Sequence, residues 1–219
     1  MCALIGSFEV EKILGLIERN QHRGRVAYSL AAWDPVSGAL GLIYGKGLFD
    51  PAALERIEHD GRYLLCHLQS PTHIAANGSM ETQPSIIRKE KSSSYLWHNG
   101  ILVPQTMEMI SRKLGVKSGF DTHLLHWWLE KGETLDEVEG SFACIYLSGG
   151  DGNIRLFRSR HAKLYIDEKM TLSSERFPGS RCINADRIYR MDPVRRELKV
   201  EGRFRTRRFN INIEGELDD

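Results

Sequence analysis

The sequence predicts an α+β fold in which antiparallel sheets are covered by helices. Strand-like segments dominate both halves of the chain, and the amphipathic helical segments fall into two groups. The chain shows no internal repeat and no long linker, so we expect one domain over residues 1–219, ending in a short acidic tail at about 213–219.

Three helices are predicted from apolar spacing at i, i+3, i+4 and i+7. The positions that carry the pattern are Val10, Ile13, Leu14 and Ile17 in the first helix, Met107, Ile110 and Leu114 in the second, and Leu124, Leu125 and Trp128 in the third. Gly115 is expected to end the second helix, and Asp121 is a candidate N-cap of the third. A further short helix is expected at 51–59, with Pro51 at its first position.

Strands are expected where apolar and β-branched residues are bounded by turn residues. These segments are 2–6, 27–33, 39–44, 62–69, 95–98, 142–147 and 154–158. The turn residues at 34–38 predict a hairpin, and the glycines at 149–152 predict a tight turn. The charged stretch 88–94 is interpreted as a loop.

Composition excludes several classes of function. The 219 residues are 41% hydrophobic and 27% charged, which is typical of a soluble globular domain. A net charge of +1 gives no bulk attraction to nucleic acid or membrane, so neither is expected as a partner. The chain lacks an apolar run of the ~18–20 residues that a membrane span needs, and its start does not resemble a secretory signal.

The cysteines indicate a reducing environment. Four of them are scattered without a C-x-x-C pair, which favours a cytoplasmic protein and argues against a zinc site. The eight histidines show no ligand-like spacing, so we expect no metal and no cofactor.

Cys2 is the most informative residue, because it directly follows Met1. Removal of a methionine before a small residue would leave Cys2 at the N-terminus, with a thiol and a free α-amine in one residue. The thiol is a strong nucleophile, and an α-amine with a pKa of about 7.7–8.0 is a usable base at neutral pH.

Several short motifs follow Cys2 in a fixed order. They are Arg23-Gly24, His67, Thr72-His73, Gln83-Pro84, His98-Asn99-Gly100, Asp121-Thr122, Phe142-Ala143, Arg158 and Ser174-Glu175. In this order and spacing the chain resembles the glutaminase domain of class II glutamine amidotransferases, which are N-terminal nucleophile hydrolases. The resemblance covers most of the chain, from Cys2 to Glu175.

The resemblance implies a four-layer αββα sandwich of two antiparallel sheets. It also implies catalysis by the Cys2 thiol, with the Asn99 side chain and the Gly100 backbone N–H as oxyanion donors and Arg23 beside the nucleophile. Each residue also has an ordinary structural interpretation: Asn99-Gly100 is a common turn pair, and Arg23 follows a helix as surface arginines often do.

Glutamine binding is assigned by the same resemblance. Asp121 matches the residue that binds the α-ammonium group of glutamine, although a helix N-cap would explain it equally. Thr72 and His73 match positions that line the pocket, and an ordinary loop remains the alternative. His98, which begins the Asn-Gly motif, is placed in the same substrate-binding set, and Gln69 completes that set.

Gln69 is the main departure from the family pattern, because the family has an arginine there that binds the α-carboxylate. A neutral amide cannot replace that charged bidentate contact. Another basic residue supplies the charge, or the substrate is a different amide, or activity has been lost. Val26, Ala3 and Ser159 also replace family residues. The alternatives to a glutaminase are therefore a cysteine amidohydrolase acting on another amide and a catalytically silent binding module.

The fate of the ammonia is a second open point. Class II amidotransferases usually carry a fused synthetase, isomerase or phosphoribosyltransferase domain, and this sequence has no Gly-rich phosphate loop. The resemblance therefore implies glutamine as the small-molecule substrate and an acceptor-activating synthetase as a partner protein in trans.

Overall fold

The computed structural model describes residues 2–70, 81–90, 92–148 and 153–207. Within these ranges the strands are β1 (Ala3–Ser7), β2 (Ala27–Trp33), β3 (Leu40–Lys46), β4 (Tyr63–Gln69), β5 (Ser85–Lys89), β6 (Ser92–Leu102), β7 (Gly140–Leu147), β8 (Ile154–Arg158), β9 (Tyr165–Ile166), β10 (Leu172–Ser173), β11 (Arg181–Cys182), β12 (Arg187–Asp192) and β13 (Glu197–Arg203). The α-helices are α1 (Val10–Asn20), α2 (Pro104–Leu114) and α3 (Asp121–Glu130).

The strands form two antiparallel sheets. The first has the order β11-β9-β10-β1-β4-β2-β3, and the second has the order β13-β12-β8-β7-β6-β5. In the first sheet β1 pairs with β4 and β10, which brings the start of the chain to the middle of the sheet. In the second sheet β6 pairs with β5 and β7.

The two sheets pack face to face over a shared hydrophobic core. Alternate residues of each strand point to opposite faces, so Leu4 and Leu65 of the first sheet meet Trp97 and Ile145 of the second. The helices cover the outer faces of the sheets. One cluster of buried side chains joins α1 to the first sheet, and another joins α2 and α3 to the second. The predicted α+β class and the four-layer αββα sandwich are therefore confirmed.

Helix α1 covers the first sheet with the residues predicted from its periodicity. Ile13 and Ile17 are buried against this sheet, whereas Glu11 in the first turn and Arg19 in the last turn complement the helix dipole. None of the described helices has the length and apolar character required to cross a bilayer.

Helices α2 and α3 cover the second sheet. Helix α2 begins with Pro104 and ends at Gly115, whose φ of 67° is the left-handed conformation that the sequence predicted for a C-cap. The N-cap predicted at Asp121 is wrong, because Phe120 occupies the cap position and Asp121 is the first helical residue. The backbone carbonyl of Phe120 accepts the N–H groups of His123 and Leu124.

The β5–β6 hairpin corrects the predicted loop at 88–94. Strand β5 runs to Lys89 and β6 begins at Ser92, because main-chain pairing tolerates charged and hydroxyl side chains near a sheet edge. Strand β6 also continues beyond His98, so Asn99 and Gly100 lie inside a strand and do not form a turn.

Three further predictions concern the short helix at 51–59, the glycine turn and the acidic tail. The short helix expected at 51–59 is a 3₁₀ segment, Pro51–Arg56, with the Asp50 side chain accepting the Ala52 N–H at 3.0 Å. The glycine turn at 149–152 and the acidic tail at 213–219 lie outside the described residues.

His67 of β4 is a buried titratable group between the sheets. Its side chain has no solvent exposure, and neither ring nitrogen has a hydrogen-bond partner among the described residues. The pKa of His67 is lowered to about 3, chiefly by burial and also by the nearby His98 side chain, against the opposing effect of the His98 backbone. His67 is therefore neutral in the folded protein at neutral pH.

The pKa of His67 predicts a loss of stability in mild acid. An unfolded histidine takes up a proton as the pH falls through about 6.5, whereas folded His67 does so only near 3. At pH 5 this difference lowers the free energy of unfolding by about 2 kcal/mol relative to pH 8. Urea unfolding at both pH values should show this loss in the wild type and a correspondingly smaller loss in His67→Leu.

A matched His59→Leu change serves as the control. His59 is a partly exposed histidine, so its replacement controls for the loss of a histidine that is not buried between the sheets. Equal pH dependence in the wild type and His67→Leu would contradict the pKa assigned to His67.

Candidate active site

A cleft of about 410 Å³ is lined by residues from both sheets. Its walls come from the start of β1, the middle of β6, the start of β7, the end of β10 and the loops after α1 and β8. The lining residues are Cys2, Arg23, Asn99, Gly100, Ile101, Ser141, His161, Ala162, Lys163 and Ser174.

Cys2 lies directly before β1 at this cleft and is 5% exposed. Its Sγ is 3.5 Å from both the backbone N and the backbone O of Ser70. Burial raises the pKa of the Cys2 thiol, and the Asp121 carboxylate adds to this effect, whereas the Ser70 backbone and Arg23 oppose it. The thiol is thus protonated at neutral pH, and nucleophilic attack requires a base that removes its proton.

Arg23 lies beside the backbone of Cys2. Its Nε donates to the Cys2 carbonyl at 3.0 Å, and its Nη1 is 3.4 Å from Glu175 Oε1. Glu175 also contacts His22 Nε2 at 3.1 Å. The next residue, Gly24, packs so closely on β4 that a Cβ there would lie 2.4 Å from the Leu68 carbonyl carbon. The loop after α1 is therefore held against β4, with Arg23 fixed at Cys2.

Ser174 connects β1, the strand that follows Cys2, to the second sheet. Its Oγ accepts the Leu4 N–H at 2.9 Å and the Asn99 Nδ2 group at 3.0 Å. Its backbone N–H donates to the Leu4 carbonyl at 2.9 Å. The amide nitrogen of Asn99 carries two hydrogens, so one remains for an oxygen atom in the cleft.

The N–H of Gly100 is a second donor at the cleft, and the strand register explains its direction. Gly100 pairs with Phe142 across β6 and β7. The N–H and C=O of Phe142 bond to Ser159 on the other side of β7. Phe142 and Gly100 are therefore a non-hydrogen-bonded pair, and the N–H of Gly100 points away from β7.

The neighbouring N–H groups on this edge of β6 support the same direction. The N–H of His98 donates to Gln83 Oε1 at 2.5 Å, and the N–H of Leu102 donates to Asp121 Oδ2 at 3.1 Å. These side chains satisfy the positions on either side of Gly100. The Gly100 N–H lies between them and can donate to an oxygen atom in the cleft, close to the Asn99 amide.

His98 and Asp121 lie behind the cleft, where β6 meets α3. Both are buried, with His98 Nδ1 3.2 Å from Thr122 Oγ1 and 3.7 Å from Asp121 Oδ1. Asp121 also holds the Leu102 N–H at the end of β6. These contacts fix α3 against the strand that carries Asn99 and Gly100.

Gln69 lies at the end of β4 and is 5% exposed. Its Nε2 donates to the Glu81 carbonyl at 2.6 Å, and its Oε1 accepts the Gln83 N–H at 3.4 Å. The amide thus connects β4 to the chain before β5. Gln69 is not among the residues that line the cleft.

The residues predicted from the sequence divide into two groups. Cys2, Arg23, Asn99 and Gly100, the expected catalytic set, line one cleft. Gln69, His98 and Asp121, from the expected substrate-binding set, are buried behind it. Thr72 and His73 lie outside the described residues. The catalytic and binding roles of all these residues stay predictions.

Five of the cleft residues were not predicted from the sequence, and two of these, His161 and Lys163, have ionisable side chains. His161 and Lys163 belong to the loop between β8 and β9, where neither helical nor strand periodicity indicates which side chains face the cleft. Ser174 is part of the ordered motif set, but its bond to Asn99 depends on the packing of two sheets. Within the described ranges, no group of three or more His, Cys, Asp or Glu side chains is arranged to hold a metal ion.

Comparison with known proteins gives structural matches alone. Neither a family model nor a curated protein matches the sequence. Glutamine phosphoribosylpyrophosphate amidotransferase from B. subtilis, complexed with ADP and GMP, matches 92% of this chain with a TM-score of 0.70 and 18% identity. The allosteric regulatory enzyme of purine biosynthesis also matches 92%, with a TM-score of 0.69 and 17% identity.

These matches define the fold class. The chain shares its sandwich fold of two antiparallel sheets with both of these structures. The resemblance to class II glutamine amidotransferases is therefore confirmed at the level of the fold. The chain spans about half the length of these two proteins, 49% and 48%.

The position of Gly100 predicts a strong intolerance of any side chain. Its φ is 151°, and a Cβ would lie 1.8 Å from the Ser141 carbonyl oxygen, so the backbones of β6 and β7 would have to separate. Gly100→Ala should lower the free energy of unfolding by about 3 kcal/mol or more, measured in urea.

Gly15→Ala is the matched control for this substitution. A Cβ at Gly15 meets no atom within 4 Å, and the residue lies inside α1, so alanine should raise stability by about 0.5–1 kcal/mol. A Gly100→Ala protein as stable as the wild type would show that β6 and β7 do not approach as closely as described.

Proposed function

We propose that this chain is a glutamine amidotransferase domain that hydrolyses the side-chain amide of glutamine through the Cys2 thiol. The products are glutamate and ammonia. The observation that carries the proposal is the shared cleft, where Cys2 of the first sheet faces the Asn99 amide and the Gly100 N–H of the second. The fold shared with glutamine phosphoribosylpyrophosphate amidotransferase adds support.

The first step is activation of the buried thiol. Removal of Met1 frees the Cys2 α-amine, which takes the thiol proton directly or through a water molecule. Burial raises the pKa of this thiol, so its surroundings disfavour loss of the proton. The α-amine of the same residue is the base that removes it. Arg23 holds the Cys2 carbonyl at 3.0 Å and keeps the thiol oriented toward the cleft.

Attack on the substrate follows. The thiolate adds to the amide carbon of glutamine, and the carbonyl oxygen becomes an oxyanion that accepts bonds from Asn99 Nδ2 and the Gly100 N–H. The carbon–nitrogen bond then breaks, the nitrogen takes the proton held by the α-amine, and ammonia leaves. Water adds to the γ-glutamyl thioester, which releases glutamate and restores the thiol.

The ammonia requires an acceptor. We propose that an acceptor-activating synthetase acts in trans, because free ammonia would otherwise diffuse away. The four cysteines are all free thiols, which fits a reducing cytosol as the site of action.

A second candidate is hydrolysis of a different amide by the same thiol. Gln69 favours it, because this side chain is bonded to Glu81 and Gln83 and offers no positive charge to an α-carboxylate. Both candidates use Cys2, Asn99 and Gly100 in the same way and differ only in the group that the pocket recognises.

The direct test is release of ammonia and glutamate from glutamine by protein whose N-terminus is confirmed by intact mass. Cys2→Ala should reduce release to background, because no nucleophile remains. Cys182→Ala is the control, since Cys182 is partly exposed and does not line the cleft. Equal release by the wild type and Cys2→Ala would sink the proposal, and cleavage of another amide alone would support the second candidate.

Asn99→Ala tests the oxyanion donor. Loss of one donor should lower kcat about 10²–10³-fold with a much smaller change in KM, because the bond forms mainly in the transition state. Asn20→Ala is a matched control, since Asn20 is a buried asparagine that bonds to Leu16 and Ser173 away from the cleft. This control should lose stability while kcat stays close to that of the wild type; an unchanged kcat in Asn99→Ala would refute the assignment.

A further inference from the structure

The charge of the cleft lining indicates what kind of substrate it accepts. Arg23 and Lys163 are cations, and no Asp or Glu is among the described residues that line the cleft. A cleft with cationic walls and no lining carboxylate attracts anions and excludes cationic amides. The substrate should therefore carry a negative charge in addition to its amide.

Arg23 is already engaged within the protein. Its Nε bonds to the Cys2 carbonyl, and its Nη1 lies beside the Glu175 carboxylate, which balances its charge. Movement of this guanidinium toward a substrate would release the backbone of the nucleophile. Arg23 therefore positions Cys2, and the charge for an anionic substrate comes from elsewhere.

Lys163 is the cation that remains for a ligand. Its side chain is exposed at the cleft and forms no ion pair within the described ranges. Lysine presents a compact charge on a flexible stem, so Lys163 can adjust to a carboxylate held near Cys2.

The backbone on both sides of Lys163 is fixed. Arg158 Nη1 donates to the Ala162 carbonyl at 2.8 Å, and the Ile183 N–H donates to the Leu164 carbonyl at 3.0 Å. Ala162 and Leu164 are themselves buried in the core between the sheets. The loop thus holds the Lys163 stem at a constant place in the cleft wall while its ammonium group stays in solvent.

We propose that Lys163 is a specificity-determining residue that binds the carboxylate of the amide substrate. This inference rests on the proposed function for its glutamine form, but the charge of the cleft supports it separately. In the family pattern, an arginine at the position of Gln69 on β4 supplies the charge for the α-carboxylate. Here Gln69 is neutral, buried and bonded to Glu81 and Gln83. A positive charge stands instead at Lys163, in the loop after β8 that lines the cleft.

Alkylation of Cys2 tests the inference without requiring turnover. Iodoacetate and iodoacetamide differ in one carboxylate, so the ratio of their rates at Cys2 reports on cations near the thiol. Any change in thiol pKa affects both reagents equally and cancels in the ratio. Peptide mapping separates Cys2 from the other three cysteines.

Lys163→Met should lower the iodoacetate-to-iodoacetamide ratio by up to about fivefold, the effect of one charge pair near a protein surface. Lys163→Arg should keep the wild-type ratio, because it retains the charge. Lys169→Met is the control, since Lys169 pairs with Glu9 at 2.8 Å and does not line the cleft. An unchanged ratio in Lys163→Met, or no reaction of Cys2 with either reagent, would overturn the inference.

Glutamine kinetics then separate this inference from the proposed function. In Lys163→Met the KM for glutamine should rise by a similar factor, while the KM for glutamine α-amide, which lacks the carboxylate, stays unchanged. If glutamine hydrolysis depends on Cys2 but Lys163→Met changes neither the alkylation ratio nor the KM, the role of Lys163 is refuted and the glutaminase proposal stands. A lowered ratio without glutamine hydrolysis refutes the glutaminase proposal and supports another anionic amide as the substrate.

Discussion

The Ser174 hydroxyl holds together the two strands on which the cleft depends. It accepts the Leu4 N–H from the first sheet and the Asn99 amide from the second, while its own backbone pairs with Leu4. Each bond is worth only about 0.5–1.5 kcal/mol, but together they fix the position of the Asn99 side chain of β6 relative to β1. Hydrophobic packing between the sheets provides the stability, whereas the hydrogen bonds of Ser174 fix how β1 and β6 are aligned with each other.

A second constraint acts along the free edge of β6. Beyond Leu96 this strand pairs with no described strand on the side of β5, so its N–H groups need other acceptors. Gln83 and Asp121 accept two of them, at His98 and Leu102. Side chains therefore accept the N–H groups of His98 and Leu102 at this edge of the sheet. The N–H of Gly100, between them, points toward the cleft.

Sequence periodicity was sufficient to predict sheets covered by helices, because burial alternates in strands and recurs every third or fourth residue in helices, whereas the four-layer arrangement was implied by the family resemblance. The predicted strand at 27–33 has the bounds of β2, and Gly115 ends α2 as expected. The β5–β6 hairpin was missed, because its hydroxyl and charged residues follow no apolar alternation. The hydrogen bonds of Gln69 and the position of Lys163 at the cleft could not be predicted, since both depend on contacts between segments distant in sequence.

The ordered motifs were more informative about the cleft than any periodicity. Cys2 and Asn99 are nearly a hundred positions apart in the chain, and a family pattern was needed to associate them before the structure was known. The same pattern has a carboxylate-binding arginine at the position of Gln69. In the structure the Gln69 side chain instead forms hydrogen bonds that connect β4 to the chain before β5. Family patterns therefore indicate where a cleft lies better than which charge each position carries.

The burial of Cys2 also bears on its sensitivity to oxidation. Peroxides oxidise thiolates much faster than thiols, and burial raises the pKa of Cys2, so this side chain stays in its less reactive, protonated form. The enclosed position of the thiol, which is 5% exposed, thus protects it from oxidation in the folded protein.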